Sequence, residues 1–101
     1  MAFEVVFSAE AQQDIILMYA YVAERAGAVR ALNFADRVIS YCEGLTAFPE
    51  RGTRRDDLGP GLRIIGYRRR VTIAFHVEPG RVTIDRVLYG GRALPSAIGR
   101  R

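Results

Sequence analysis

The sequence contains one cysteine and one histidine, and it has no lysine at all. The lone cysteine, Cys42, cannot form an internal disulfide or supply the ligands of a cysteine-rich zinc site. The lone histidine, His76, argues against a histidine metal cluster and against a histidine-dependent catalytic triad. We therefore expect neither a metal nor a cofactor.

Long hydrophobic runs are missing too. No apolar run approaches the ~20 residues needed to span a bilayer, and Met1–Glu4 lacks the basic and apolar start of a signal peptide. We therefore expect a cytoplasmic protein with no membrane partner. The 101 residues, 50% hydrophobic and 26% charged, suit one globular domain with a single core.

Positive charge is abundant, and arginine carries all of it. The formal net charge is +4, and all 15 basic residues are arginine. Several of them cluster in the sequence, within 51–55 and at 68–70. Because a guanidinium pairs bidentately with a carboxylate or a phosphate, these clusters predict an acidic partner, either a polypeptide or a nucleic acid.

Two amphipathic helices are predicted in the first half of the chain, after a short strand over Phe3–Phe7. Ser8 is the expected N-cap of the first helix, and Gly27 ends it. The second helix begins near Ala28 and ends before Pro49. Their buried stripes are Ala11, Ile15, Met18 and Val22, then Ala31, Phe34, Val38, Tyr41 or Cys42, and Leu45. The short link between the helices predicts an antiparallel helical hairpin.

After a polar loop over 50–61, the apolar residues recur at every second position. This pattern predicts three strands, at Leu62–Tyr67, Val71–Val77 and Val82–Tyr89. The predicted fold is an α+β domain of order β-α-α-β-β-β, with the helical hairpin packed on one face of a mostly antiparallel sheet. The second face of the sheet is then left open to solvent or to a partner.

One charge breaks the pattern of the last strand. Arg86 has the same parity as the apolar residues of that strand, which are Val82, Ile84 and Leu88. A charge on the core side of a strand is costly unless it is paired. We expect either a bulge near Asp85, or a carboxylate from elsewhere, such as Asp14 of the first helix, that pairs with Arg86.

Four segments, in this order, resemble ParE-type toxins of the RelE/ParE superfamily. They are Phe7-Ser8-x-x-Ala11-x-x-Asp14-Ile15-x-x-Met18-x-x-Tyr21, Leu45-x-x-Phe48-Pro49-x-x-Gly52, Arg55-Asp56-Asp57-Leu58-x-Pro60-Gly61-Leu62-Arg63 and Arg86-Val87-Leu88-Tyr89-Gly90-x-Arg92. The family also has the β-α-α-β-β-β order. We therefore expect one toxin domain over 1–94, followed by a short C-terminal tail over 95–101.

The resemblance implies the toxin of a type II toxin–antitoxin module. Such a toxin acts on DNA gyrase, without catalysis of its own, and stalls the enzyme with its DNA cleaved. It is neutralised by a ParD-like antitoxin, whose N-terminus is a ribbon-helix-helix DNA-binding domain. The toxin would reach operator DNA only through that antitoxin.

Related toxins of the same superfamily cleave mRNA on the ribosome, and this is the alternative function. Arg63, Arg86 and Tyr89 resemble the catalytic positions of those ribonucleases, and Tyr89 stands where many ParE-type toxins have histidine. The segment Pro60–Arg63 is typical of the gyrase-targeting branch, and the loop over 50–61 has no lysine. The resemblance therefore favours a gyrase inhibitor over a ribonuclease. A degenerate toxin that only binds its antitoxin is a third possibility.

Two sets of residues are candidates for antitoxin binding. Ile16, Tyr19 and Ala23 fall off the buried stripe of the first helix and could form a groove for an antitoxin helix. The run Arg68, Arg69 and Arg70 lies at a predicted turn, where it could meet an acidic antitoxin tail or DNA phosphates. We also expect a structural or functional role for Arg63 and Arg86.

Overall fold

A computed structural model of the chain describes residues 4–90. Two helices pack against a five-stranded sheet, which confirms the predicted α+β class and element order. The elements are β1 (Glu4–Phe7), α1 (Ala9–Ala26), α2 (Ala28–Glu43), β2 (Thr53–Arg54), β3 (Arg63–Tyr67), β4 (Val71–Glu78) and β5 (Arg81–Tyr89), with a 3₁₀ turn at Gly44–Thr46.

The strand order across the sheet is β1-β5-β4-β3-β2. Strand β1 pairs with β5 in parallel, and the other neighbours pair antiparallel. The loop predicted over 50–61 contains the short strand β2, which extends the sheet by one edge strand. Its two residues, Thr53 and Arg54, are both exposed, so no alternation of polar and apolar residues could reveal it.

Helix α1 begins and ends as its sequence signals predict, whereas α2 ends at Glu43, earlier than predicted, and Leu45 of its predicted stripe lies in the 3₁₀ turn. The Ser8 hydroxyl accepts a hydrogen bond from the backbone N–H of Ala11 at 3.0 Å, so Ser8 is the N-cap of α1. Gly27 has a φ of 93°, and its N–H donates to the carbonyl of Ala23. A residue with a side chain rarely adopts this φ, so glycine allows the sharp reversal from α1 to α2.

The main core lies between the hairpin and one face of the sheet. Its largest fully buried side chains include Phe75, Ile73 and Ile84 from the sheet and Leu45 from the 3₁₀ turn. The predicted stripe residue Cys42 is also fully buried there. Burial, with a smaller contribution from Glu43, raises the pKa of the Cys42 thiol to about 12, so Cys42 acts as a small apolar side chain.

The bulge expected near Asp85 is present in β5, and it shifts the side-chain alternation of this strand beyond Ile84. Ala74 pairs with Arg86 but Phe75 pairs with Ile84, so Asp85 is the extra residue. After the bulge, Val87 takes the core position that the sequence pattern gives to Leu88. The bulge therefore turns Arg86 away from the core side of the sheet.

The second face of the sheet is less open than predicted. Ala74 and Leu62 are buried on it, and Leu58 from the preceding loop packs against them as a small second cluster. This cluster anchors the loop before β3 to the sheet.

Within residues 4–90, no helix has the length and apolar character that crossing a membrane requires. The predicted tail over 95–101 lies outside the described residues, as does Phe3 of the predicted first strand.

Candidate functional site

An open groove lies where the end of α1, the first half of α2, the β3–β4 turn and the end of β5 meet. Its volume is about 720 Å³, which is in the usual range for ligand pockets. The residues that line this groove are Tyr21, Val22, Arg25, Ala26, Arg30, Asn33, Phe34, Arg37, Arg69, Arg70, Tyr89 and Gly90. We refer to it as the arginine groove.

Aromatic rings form the wall of the arginine groove. Tyr89 lies between Tyr21 and Phe34, with ring centroids 5.3 Å and 5.9 Å away. The contacts continue from Phe34 to Tyr67 at 6.5 Å, and from Tyr67 to Tyr41 at 4.8 Å. Five rings therefore form a continuous row across one end of the sheet. All five are partly exposed.

Among residues 4–90, five arginines and no acidic residue line the arginine groove. Arg25 lies over the Tyr21 ring, 3.7 Å from its centroid, and contacts Glu24 at 3.5 Å. The other four have no carboxylate partner among residues 4–90; they are Arg30, Arg37, Arg69 and Arg70. Their charge gives this groove a positive potential, which attracts anions.

The turn that supplies two of these arginines has an unusual backbone. Arg68 and Arg69 have φ values of 53° and 60°, and the N–H of Arg70 donates to the carbonyl of Tyr67 at 3.2 Å. Two successive residues with positive φ are typical of a type I′ turn, which favours asparagine and glycine. Arginine is strained at such positions, and strain of this kind clusters at functional sites.

A buried ion pair joins α1 to β5, away from the arginine groove. Arg86 donates from Nε to Asp14 Oδ2 at 2.7 Å and from Nη2 to Oδ1 at 2.9 Å. Asp14 Oδ2 also accepts the backbone N–H of Val87 at 2.9 Å. The hydrogen bond to Asp14 raises the pKa of Arg86 above its ordinary value. Both solutions expected for Arg86, a bulge and a carboxylate partner, are therefore present.

The loop before β3 is neutralised by its own ion pairs. Arg54 contacts Asp56 at 3.0 Å, and Arg55 contacts Asp57 at 2.8 Å. The pKa of Asp56 is lowered by hydrogen bonds from the Gly61 N–H and from Arg54, and that of Asp57 by the hydrogen bond from Arg55. These two arginines therefore differ from those of the arginine groove.

Comparison with known proteins decides the family. The profile of the ParE toxin of the type II toxin-antitoxin system, parDE, matches residues 5–94. The chain belongs to this ParE toxin family. The match spans nearly the whole chain, so it includes every element from α1 to β5 and all but the first residue of β1.

A solved structure shows the same fold. The chain is similar to one from the chromosomal ParDE TA system of P. aeruginosa, with a TM-score of 0.75 and 19% sequence identity. The similarity covers 87% of this chain and 96% of the other. No curated protein sequence matches this ParE family member closely enough to count as a relative.

In this ParE fold, the three candidate ribonuclease residues do not come together. Tyr89 lies in the arginine groove and pairs with Val71, whereas Arg63 pairs with Phe75 four residues further along β4. A strand rises 3.3 Å per residue, so these positions are about 13 Å apart along the sheet. Arg63 donates instead to the carbonyl of Arg51 at 3.2 Å, and Arg86 is paired with Asp14.

The candidate antitoxin residues of the ParE fold lie on two surfaces. Ile16 is 59% exposed on the outside of α1, whereas Tyr19 and Ala23 are half-buried. On α2, Val29 and Leu32 add exposed apolar area that the sequence analysis did not single out. The second surface is the β3–β4 turn, where Arg68, Arg69 and Arg70 are all exposed.

Sequence reasoning missed the helical half of the arginine groove. Arg30, Asn33 and Arg37 have the spacing i, i+3, i+7, which places them on one face of α2. That spacing is the signal that could have revealed them. Nothing in the sequence placed this face beside the distant turn at Arg69 and Arg70.

Proposed function

We propose that the chain is the toxin of a type II toxin–antitoxin module, that it inhibits DNA gyrase, and that a ParD-like antitoxin neutralises it. The match to the ParE toxin family over residues 5–94 carries this proposal. The proposed place of action is the cytoplasm, because gyrase acts on the chromosome. The toxin would contact operator DNA only through the ribbon-helix-helix domain of its antitoxin.

The geometry argues against ribonuclease activity. A metal-free ribonuclease needs its phosphate-binding and proton-transferring groups within hydrogen-bond reach of one scissile phosphate. Arg63 and Tyr89 lie about 13 Å apart along the sheet, and the Arg86 guanidinium is bound by the Asp14 carboxylate. We therefore propose a non-catalytic toxin.

Replacing Tyr89 by phenylalanine should leave toxicity unchanged. The substitution keeps the ring that packs against Tyr21 and Phe34 and removes only the hydroxyl that a ribonuclease would use. Growth arrest after induction is the measurement, with circular dichroism to verify the fold. Tyr41→Phe is the matched control, because its ring packs against Tyr67 outside the arginine groove. Loss of toxicity in folded Tyr89→Phe alone would favour the ribonuclease.

We propose that the antitoxin binds two surfaces, which are the outer side of α1 and the β3–β4 turn. Ile16, Tyr19 and Ala23 would contact an apolar helix face of the antitoxin. Arg68, Arg69 and Arg70 would hold an acidic segment through charge-assisted hydrogen bonds. The exposure of Ile16 and of the three arginines supports this assignment.

Antitoxin affinity should fall with salt, and it should fall about tenfold when Arg69 and Arg70 are both replaced by alanine. Calorimetric titration with the ParD-like antitoxin at two salt concentrations measures both effects. The control is Arg54→Ala with Arg55→Ala, which removes the same charge from arginines that already have carboxylate partners. An affinity that is equal at low and high salt would contradict the turn as an antitoxin site.

A further inference from the structure

The arginine groove continues into a second depression along α2. This depression has a volume of about 480 Å³ and is lined by Asp36, Arg37, Ser40, Tyr41, Tyr67 and Arg68. Arg37 borders both depressions, and the contact between Phe34 and Tyr67 joins their aromatic walls. The combined surface is therefore an elongated track rather than a closed pocket.

We propose that this track binds a short single strand of nucleic acid in the free toxin. Arginine side chains would contact successive phosphates, and exposed bases would stack on the aromatic row. Grooves that combine positive charge with aromatic rings bind single strands in this way, at about 4–16 nucleotides per site. The inference goes beyond the proposed function and does not depend on a gyrase target.

The charge distribution favours an anion with repeated charges. Arg30, Arg37, Arg69 and Arg70 face the same groove without a carboxylate partner among residues 4–90, and Asp36 is the acidic residue that lines the second depression. Like charges that line one groove repel each other at low salt. A chain of phosphates would remove that repulsion.

The aromatic row favours a nucleic acid over an acidic peptide. Five partly exposed rings follow each other at centroid separations of 4.8–6.5 Å, tilted to one another by 41–81°, and all but Tyr21 also pack against the core. Flat bases stack on such rings and on guanidinium planes, whereas glutamate and aspartate side chains gain nothing from them. A duplex would also lose this contribution, because its bases are already stacked.

The strained turn is an independent observation. Arg68 and Arg69 occupy positive φ positions, where asparagine and glycine fit without strain. The turn places Arg69 in the first depression and Arg68 in the second. Binding of phosphates by both side chains gives the strained turn a function.

Fluorescence anisotropy tests the proposal with purified toxin and labelled oligothymidylate of about twelve nucleotides. We expect saturable binding that weakens with salt, with a slope of log K against log [salt] of about −3 for four phosphate contacts. Oligouridylate tests whether RNA binds as well as DNA. The same strand in a duplex, and a polyglutamate peptide, should bind more weakly.

Three variants test the assignment of residues. Arg69→Ala with Arg70→Ala should weaken binding at least tenfold and make the salt slope shallower by about 1.4. Arg68→Asn with Arg69→Gly suits the turn, so it keeps the fold, and it should also weaken binding. Arg54→Ala with Arg55→Ala removes the same charge from paired arginines and should leave the affinity unchanged.

Absence of saturable binding to both oligonucleotides would overturn the proposal. Equal losses in the groove variants and in the Arg54/Arg55 control would also overturn it, because binding would then follow net charge alone. Tighter binding of polyglutamate than of either oligonucleotide would assign the track to an acidic polypeptide instead. An antitoxin segment on Arg69 and Arg70 would exclude the strand, so the two occupants should compete.

Discussion

Replacing Asp14 by alanine should lower the free energy of unfolding by about 3–5 kcal/mol, which is much of the stability of a typical small domain. The Asp14 side chain is 3% exposed and accepts two hydrogen bonds from Arg86 and one from the Val87 N–H. Its removal leaves a mostly buried guanidinium and a backbone donor without this acceptor. Urea denaturation followed by circular dichroism measures the change.

Two controls isolate the effect of the buried ion pair. Asp57→Ala breaks the exposed pair with Arg55, and we expect little change in stability because water replaces the lost contact. Asp14→Leu with Arg86→Met removes both charges and should recover part of the loss. If Asp14→Ala unfolded at the same urea concentration as Asp57→Ala, the ion pair would not hold α1 on β5.

Replacing Gly52 by alanine should destabilise the protein by about 2–4 kcal/mol. Gly52 has a φ of 77°, and a Cβ at this position would overlap the backbone carbonyl of Ile64. The carbonyl belongs to β3 and cannot move aside as a flexible side chain would. The variant must therefore separate the loop from β3, and thermal unfolding measures the effect.

Gly80→Ala is the matched control for this backbone contact. Gly80 has a φ of 73°, but among residues 4–90 no heavy atom beyond its two chain neighbours lies within 4 Å of the position that its Cβ would occupy. We expect a loss of about 1 kcal/mol, from the strained φ alone. Equal losses at Gly52 and Gly80 would show that the close approach to Ile64 has no energetic consequence.

The local elements were largely predictable, because their signals are short-range. Ser8 caps the N-terminus of α1 and Gly27 caps its C-terminus, through hydrogen bonds and dihedral angles that involve only nearby residues. The alternation in β4 likewise placed Ile73 and Phe75 in the core. The short strand β2 was not predictable, since both of its side chains are exposed and its pairing depends on β3.

The pairing of Arg86 was partly predictable. A charge among apolar residues of one parity indicated either a bulge or a partner, and Asp14 was among the candidate partners. The pattern alone could not show that both occur together. The bulge at Asp85 depends on the register between β4 and β5, which is set by contacts across the whole strand pair.

The arginine groove was the least predictable feature. The cluster at 68–70 was visible in the sequence, but its backbone strain was not. The groove also needs Arg30 and Arg37 from α2, which are more than thirty residues away in the sequence. Only the packing of the hairpin on the sheet brings these segments together.

Reconstituted gyrase, supercoiled plasmid and purified toxin free of antitoxin provide the most direct test of the proposed function. If the chain is a gyrase-inhibiting ParE toxin, linear DNA should accumulate as toxin is added, and excess ParD-like antitoxin should prevent it. Tyr89→Phe should behave like the wild type in the same assay. Unaffected gyrase, together with cleaved mRNA on ribosomes exposed to the toxin, would contradict the account.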